Sequence, residues 1–300
     1  MVETVRFMSE GVACVADLLV PTAAAAGARR PGLVIGRGFG GVRAANLKEA
    51  TYFHDAGYVV LSIDYRTFGE SDGEPRCQAF PLAHVEDFRN AISYLQTRPE
   101  ADPARIGLWG TSFAGGVVLY AAAVDRRVKA VVGQMPIVHG RRWLRSLRTA
   151  GQWEDLLAKL EEDRQRRFET GAGARVLLSG PVDEFSAMPT ADTDLAEHFV
   201  TLKRTFPTWR EDVTLESIER VLEFDPTGLI DQIAPRATCI VTAAGLDLVH
   251  PIDQVLEAYA RCHQPKRLAL LPYDGLDLRF DPGWSEALNH AVQWFGRCLK

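Results

Sequence analysis

Apolar and polar positions alternate over residues 4–21 around Ser9-Glu10-Gly11, which predicts an antiparallel hairpin with one buried face. Beyond a small-residue loop at 23–30 the pattern changes. Short uninterrupted apolar runs at 32–36, 58–64, 105–110, 128–134, 238–243 and 266–272 suit strands covered on both faces. Between them, apolar residues recur at helical spacing over 45–56, 84–97, 113–124 and 252–262, and again over 284–299. Strand and helix alternate. The predicted architecture is α/β: a doubly wound, mostly parallel sheet with an N-terminal antiparallel hairpin.

The alternation is interrupted at 137–230. Amphipathic helical patterns at 153–168, 193–206 and 215–224 are separated there by Gly171-Ala172-Gly173 and by proline-bearing loops. The segment reads as a helical cap inserted between two strands, so that residues 1–136 and 231–300 form the core and 137–230 the cap. A cap over the carboxyl edge of the sheet would shape a pocket where open α/β sheets bind ligands.

Composition narrows the function classes. The chain has 300 residues, 47% hydrophobic and 24% charged, enough for one large α/β core. A net charge of −5 and the lack of a long basic run argue against nucleic acid as a partner. The densest basic stretch, 141–148, is interleaved with Trp143, Leu144 and Leu147 and reads as a solvated helix face. Cys14, Cys77, Cys239, Cys262 and Cys298 are odd in number and form no Cys-x-x-Cys pair. That argues against a disulfide framework or a structural zinc site and for a reducing cytoplasm. Residues 1–10 lack a signal-peptide core and no run approaches about 18 apolar residues, so neither secretion nor a membrane span is expected.

The strongest chemical signal is Ile106-Gly-Leu-Trp-Gly-Thr-Ser112-Phe-Ala-Gly-Gly116. An apolar strand leads to a serine with small residues two before and two after it, and an apolar helix follows. That is the nucleophile-elbow pattern, in which a tight turn lifts the hydroxyl above the sheet and points helix-start amides at a developing oxyanion. Ala114 stands where glycine is commoner. A second pattern, Gly36-x-Gly38-x-x-Gly41 with Asp64 23 residues after Gly41, has the ingredients of a dinucleotide fingerprint, although a hairpin precedes its strand.

With these stretches the chain resembles the α/β-hydrolase superfamily, in the bacterial branch related to dienelactone hydrolases and acetyl-xylan-esterase-like or peptidase S15-like enzymes. The elbow, Asp64-Tyr-Arg-Thr-Phe-Gly-Glu-Ser-Asp-Gly73, Val85-Glu-Asp-Phe-Arg-Asn-Ala-Ile-Ser-Tyr-Leu95, Asp125-Arg-Arg-Val-Lys-Ala-Val-Val132 and the stretch from Gln232 to Pro272 carry the likeness. It implies the α/β-hydrolase fold, Ser112 as nucleophile, the backbone amides of Phe39 and Phe113 as oxyanion hole, and Asp247 as triad acid. Two departures stand out. The loop after the last strand, where the family has its histidine, reads Leu271-Pro-Tyr-Asp-Gly275-Leu-Asp, with Gly275 in the histidine's place; and Arg37 replaces a histidine before the oxyanion amide. Among substitute bases, His250 is best placed, three residues after Asp247; His84, His139 and His198 are further candidates, and His290 sits inside the final helix. Arg37, always charged and forked, favours an anionic substrate or a departing carboxylate unless an acid such as Asp72 or Glu70 pairs with it.

The function expected is cleavage of a small, acetyl-type acyl ester through Ser112 with a non-standard triad. Elimination of acetate from an acylated natural-product intermediate, as in acetate-eliminating members of the same superfamily, is the alternative. Behind it stand a non-catalytic binding protein and a dinucleotide-binding oxidoreductase. No metal or organic cofactor is implied. The expected partner is a small-molecule acyl ester or acylated anionic substrate, with no nucleic acid and no membrane, and the chain is compatible with a homodimer.

Overall fold

The computed structural model describes residues 2–22 and 29–300; most of the small-residue loop expected at 23–30 lies outside them. β1 (Val2–Ser9) and β2 (Val12–Leu19) form the expected hairpin, with Ser9 paired to Val12. The turn leaves Glu10 at φ 47° and Gly11 at φ 85°, the left-handed pair that matches the twist of a two-residue hairpin. There follow β3 (Arg30–Gly36), α1 (Leu47–Asp55), β4 (Val59–Ile63), α2 (Pro81–Thr97), β5 (Ala101–Thr111), α3 (Phe113–Val124) and β6 (Val128–Gln134).

The sheet is completed by two strands late in the chain, reached through an insertion that holds α4 (Gly140–Ser146), α5 (Ala150–Thr170), β7 (Arg175–Pro181), β8 (Ser186–Thr190), α6 (Thr193–Thr205), β9 (Asp212–Thr214) and α7 (Leu215–Leu222). Then come β10 (Ala237–Ala243), α8 (Ile252–Arg261), β11 (Lys266–Leu271) and α9 (Gly283–Cys298). The eight-stranded order is β1-β2-β4-β3-β5-β6-β10-β11. β2 runs antiparallel to both neighbours, and every pairing from β4 to β11 is parallel. Successive strand residues serve opposite cores: Leu33, Ile35, Val60 and Trp109 pack with α1 and α9, whereas Val34, Leu61, Leu108 and Val131 pack with α2 and α3. This is why the strands read as continuous apolar runs. Each fully buried aliphatic side chain contributes roughly 1.5–3 kcal/mol of transfer free energy.

The insertion contains the three helices expected of it, but it is not all helical. α4 precedes them, and β7, β8 and β9 form a second sheet in the order β8-β7-β9. The alternation that marks β7 is present in Val176 and Leu178, which are buried, and is masked by the exposed, equally apolar Leu177. The basic stretch is also only partly solvated. Arg148 is buried and donates to the carbonyls of Ser186 and Ala187 at 2.7 and 2.9 Å, pinning β8 to the end of α4. Among the described residues no helix is long and apolar enough to cross a membrane.

Candidate active site

β5 delivers Ser112 into the sharp turn that opens α3, and the serine takes φ 59° and ψ −124°, a conformation costly for any residue with a side chain. The surrounding backbone holds it there. Its amide donates to Gln134 O at 2.8 Å, while its carbonyl accepts from Gly115 and Ile137 at 2.9 and 3.1 Å. Small neighbours are a steric requirement: a Cβ at Gly110 would lie 2.4 Å from the Ala114 carbonyl oxygen, and one at Gly38 2.9 Å from the Ser112 Cβ. Gly38 therefore lets the turn after β3 lie directly against the serine.

The histidine comes from the turn after β10. Asp247 Oδ1 accepts the amides of Val249 at 2.9 Å and His250 at 2.8 Å, which curls the chain back on itself. Asp247 Oδ2 is then 2.8 Å from His250 Nδ1, and His250 Nε2 is 2.9 Å from Ser112 Oγ. With the carboxylate facing Nδ1, that nitrogen carries the proton and Nε2 offers its lone pair to the serine hydroxyl. Burial pushes the Asp247 carboxyl up, but His250 and the two amides outweigh it and hold it below the ordinary carboxylate range. Trp143 Nε1 in α4 donates to Val249 O at 2.8 Å, so the insertion braces the same turn.

The other histidines are elsewhere or otherwise occupied. His84 is buried in a stack on Tyr65, His139 caps α4 through the Arg142 amide, and His290 meets Arg267 in α9. His198 does line the cavity beside Ser112, where burial pushes its pKa down to about 3 and keeps the ring neutral. Gly275 is explained by its neighbour: a Cβ there would fall 2.0 Å from Asp247 Oδ2. The carboxylate occupies the space that a side chain at 275 would need.

The amides expected to form the oxyanion hole belong to loops that meet at the serine. Phe113 is the first residue of α3, where backbone N–H groups have no partner in the helix, and Phe39 lies in the turn after β3. Their rings pack edge to face at 5.3 Å, and both also pack on Trp143. Arg37 lines the cavity, but its charge is balanced locally: Nη1 donates to Ala45 O at 2.9 Å and lies 3.3 Å from Glu49 Oε1. Neither acid expected to pair with it does so, because Glu70 bonds to Arg43 and Asp72 to Arg6. Arg279, which closes the short turn Leu276–Arg279 after β11, lines the cavity too and escaped the sequence reading, since no motif marks it.

Space at the site is uneven. The cavity beside Ser112 holds about 40 Å³, whereas a groove of about 560 Å³ lies in the insertion behind Phe199 and Trp209, which line both. The glycine pattern after β3 does not build a dinucleotide site. Asp64 is fully buried and taken up by the Arg43 amide and guanidinium, both at 2.6 Å, and by the Glu70 amide at 3.0 Å.

A serine, a histidine and a carboxylate joined in series at the carboxyl edge of this sheet call for comparison with known proteins. The model of the X-Pro dipeptidyl-peptidase (S15) family matches residues 10–274. The chain belongs to this family. The quorum-quenching protein AidA of Acinetobacter baumannii is 42% identical over 137 residues, which are 45% of this chain and 44% of AidA. The thiohydrolase aneE of Aspergillus aculeatus is 26% identical over 251 residues, 80% of this chain and 77% of aneE. The crystal structure of the α/β hydrolase GrgF from Penicillium sp. matches all of this chain and 99% of GrgF with a TM-score of 0.83 at 24% identity, and GrgF is named a polyketide transferase. The fold of the family member described here is thus that of an α/β hydrolase.

Proposed function

We propose that the chain is a serine-dependent acyl hydrolase that cleaves a small ester, with Ser112 as nucleophile, His250 as general base and Asp247 as the group that orients it. The observation that carries this reading is the unbroken series from Ser112 Oγ to His250 Nε2 at 2.9 Å and from His250 Nδ1 to Asp247 Oδ2 at 2.8 Å. As Oγ attacks the acyl carbon, its proton passes to Nε2, and the Asp247 carboxylate stabilises the imidazolium that forms. The amides of Phe39 and Phe113 receive the negative charge on the carbonyl oxygen. His250 then protonates the departing alkoxide, and a water molecule repeats the sequence to release the acid and restore Ser112.

The narrow space beside Ser112 supports a small acyl group, and the thiohydrolase name of aneE supports a thioester as an equivalent substrate. The free cysteines, four of them buried, fit a reducing cytoplasm. Elimination and a non-catalytic pocket draw their support from an absent base; with His250 in line between Ser112 and Asp247, acyl transfer to water is the better-supported chemistry. The test is turnover of short acyl esters and acetylated small acids in oxygen-18 water. Label in the released carboxylate, lost in Ser112→Ala, is the expected result. Unlabelled carboxylate together with an alkene would overturn the hydrolytic reading in favour of elimination.

A further inference from the structure

The Ser112 cavity is lined by two cations, Arg37 and Arg279, and by no carboxylate. Glu49 stands behind Arg37, and the adjoining space at the His250 turn is bordered by Asp192, Asp194, Asp247, Asp274 and Asp277 together with Arg279. Arg37 is matched to Glu49, which also accepts from Trp284 Nε1 at 3.2 Å. Asp247 is matched to His250 and two amides. Of the other acids, Asp192 accepts the amides of Asp194 and Leu195, Asp274 that of Leu246 and Asp277 that of Asp274, and none of them forms an ion pair with Arg279. Among the described residues no carboxylate or carbonyl accepts from its guanidinium, although the side chain is partly buried. His198, the other titratable group on this wall, is neutral and supplies no counter-charge.

A guanidinium withdrawn from bulk water without an acceptor is an expensive arrangement for a folded protein. Surface arginines escape the cost through solvent, and buried ones through partners, as Arg43 does with Asp17, Asp64 and Glu70. Arg279 does neither fully, and its donors border the space that a substrate on Ser112 must occupy. Burial and the neighbouring charge of Arg37 pull its pKa down only to about 10, so it is cationic at neutral pH. Its backbone is fixed by a short helical turn, with Phe280 N donating to Asp277 O at 3.0 Å, so the cation is presented from a defined position.

We infer that Arg279 is the specificity-determining residue of this site and that the ester it selects carries a carboxylate close to the scissile bond, which pairs with the guanidinium while Ser112 meets the acyl carbon. This rests on the hydrolytic reading above and names the substrate class for it. A carboxylate suits this guanidinium because a planar fork of donors matches its two oxygens. Arg37, whose Nη1 is held by Ala45 O and Glu49, adds to the same field.

The experiment compares kcat/KM for two pairs of esters in which the neutral member is the methyl ester of the anionic one. 4-Nitrophenyl hemisuccinate carries the carboxylate on the acyl side, and O-acetylglycolate carries it on the alcohol side. The wild type is expected to prefer the anion in at least one pair by about tenfold or more, the scale of one charge-assisted hydrogen bond. That preference should fall to near unity in Arg279→Gln, mainly through KM, and return in part in Arg279→Lys. A wild-type ratio near one in both pairs overturns the inference, and it does so even if the variants fail to fold. A preference that survives in folded Arg279→Gln overturns it as well. If the wild type cleaves none of the four esters, the hydrolytic reading fails instead. The anion site is then read by calorimetric titration of monomethyl succinate: binding that Arg279→Gln abolishes sustains it, and no binding to the wild type overturns it.

Discussion

The turn after β10 and the turn after β11 lie side by side, yet they carry very different chemistry. The first holds both Asp247 and His250, three residues apart, and so places a carboxylate and an imidazole in line with Ser112 from one stretch of backbone. The second, where the family resemblance places the histidine, offers Gly275 and then Arg279. Backbone contacts lace the two together: Gly245 N donates to Tyr273 O at 2.9 Å, Leu246 N to Asp274 Oδ1 at 2.7 Å, and Gly275 N to Leu246 O at 2.9 Å. The difference teaches that the base is defined by where its imidazole sits, between a hydroxyl and a carboxylate, and not by the loop that delivers it. Once Asp247 binds the amides of Val249 and His250, the turn has the curvature to present His250 itself. On the reading proposed above the turn after β11 need not supply a base, and it contributes Arg279 to the cavity lining.

The comparison breaks most sharply at His250. His250→Ala should lower turnover by about five to six orders of magnitude, the cost of removing the base from a serine triad. Ester hydrolysis checks this, with circular dichroism to confirm the fold. If the variant keeps more than about a hundredth of the activity, the base lies elsewhere. Asp247→Asn should cost about four orders of magnitude, because the imidazole loses its preferred tautomer. It also has a signature in stability. The Asp247 carboxyl is held below its ordinary value in the folded protein, so its contribution is present above the unfolded value of 3.8 and is lost as pH falls through the lower folded value. The denaturant midpoints of wild type and Asp247→Asn should therefore differ at pH 7 and converge toward pH 2.

Much of this was legible in the residues. The hairpin turn at Glu10-Gly11, the six parallel strands and the elbow at Ser112 follow from period and from small residues at fixed offsets, which are local properties. His250 was nominated by its spacing from Asp247, but spacing could not show that Asp247 would accept two amides and turn the ring toward Ser112. Arg37 was visible as a charge beside the oxyanion turn, while its true partner, Glu49, sits twelve residues on in α1 and is brought close only by packing. Arg279 was invisible, since its meaning depends on the acceptors it lacks in three dimensions. The strands of the insertion were hidden by apolar residues on the exposed face, Leu177 among them.

Two further substitutions sharpen the contrast between the turns, with smaller effects. Gly275→Ala needs no unusual backbone, as residue 275 has φ −59°, but its methyl would fall 2.0 Å from Asp247 Oδ2 and must displace the carboxylate. A shift of about 1 Å at a group that orients the base costs on the order of a hundredfold in kcat, with KM little changed, and steady-state kinetics on one ester decide it. Activity equal to wild type would mean that the turns are looser than the contacts between them imply. The mildest change is Trp143→Phe, which removes the donor to Val249 O and keeps most of the ring. Loss of one buried hydrogen bond predicts a destabilisation of about 1–3 kcal/mol, read from the urea midpoint. Because Val249 adjoins His250, kcat should fall several-fold as well, and the drop should be absent in His290→Ala, whose ring lies 2.8 Å from the Arg267 guanidinium, away from this turn. A Trp143→Phe protein that loses stability but keeps its full kcat would show that the Asp247 turn holds His250 in line by its own two amide bonds, without the brace from the insertion.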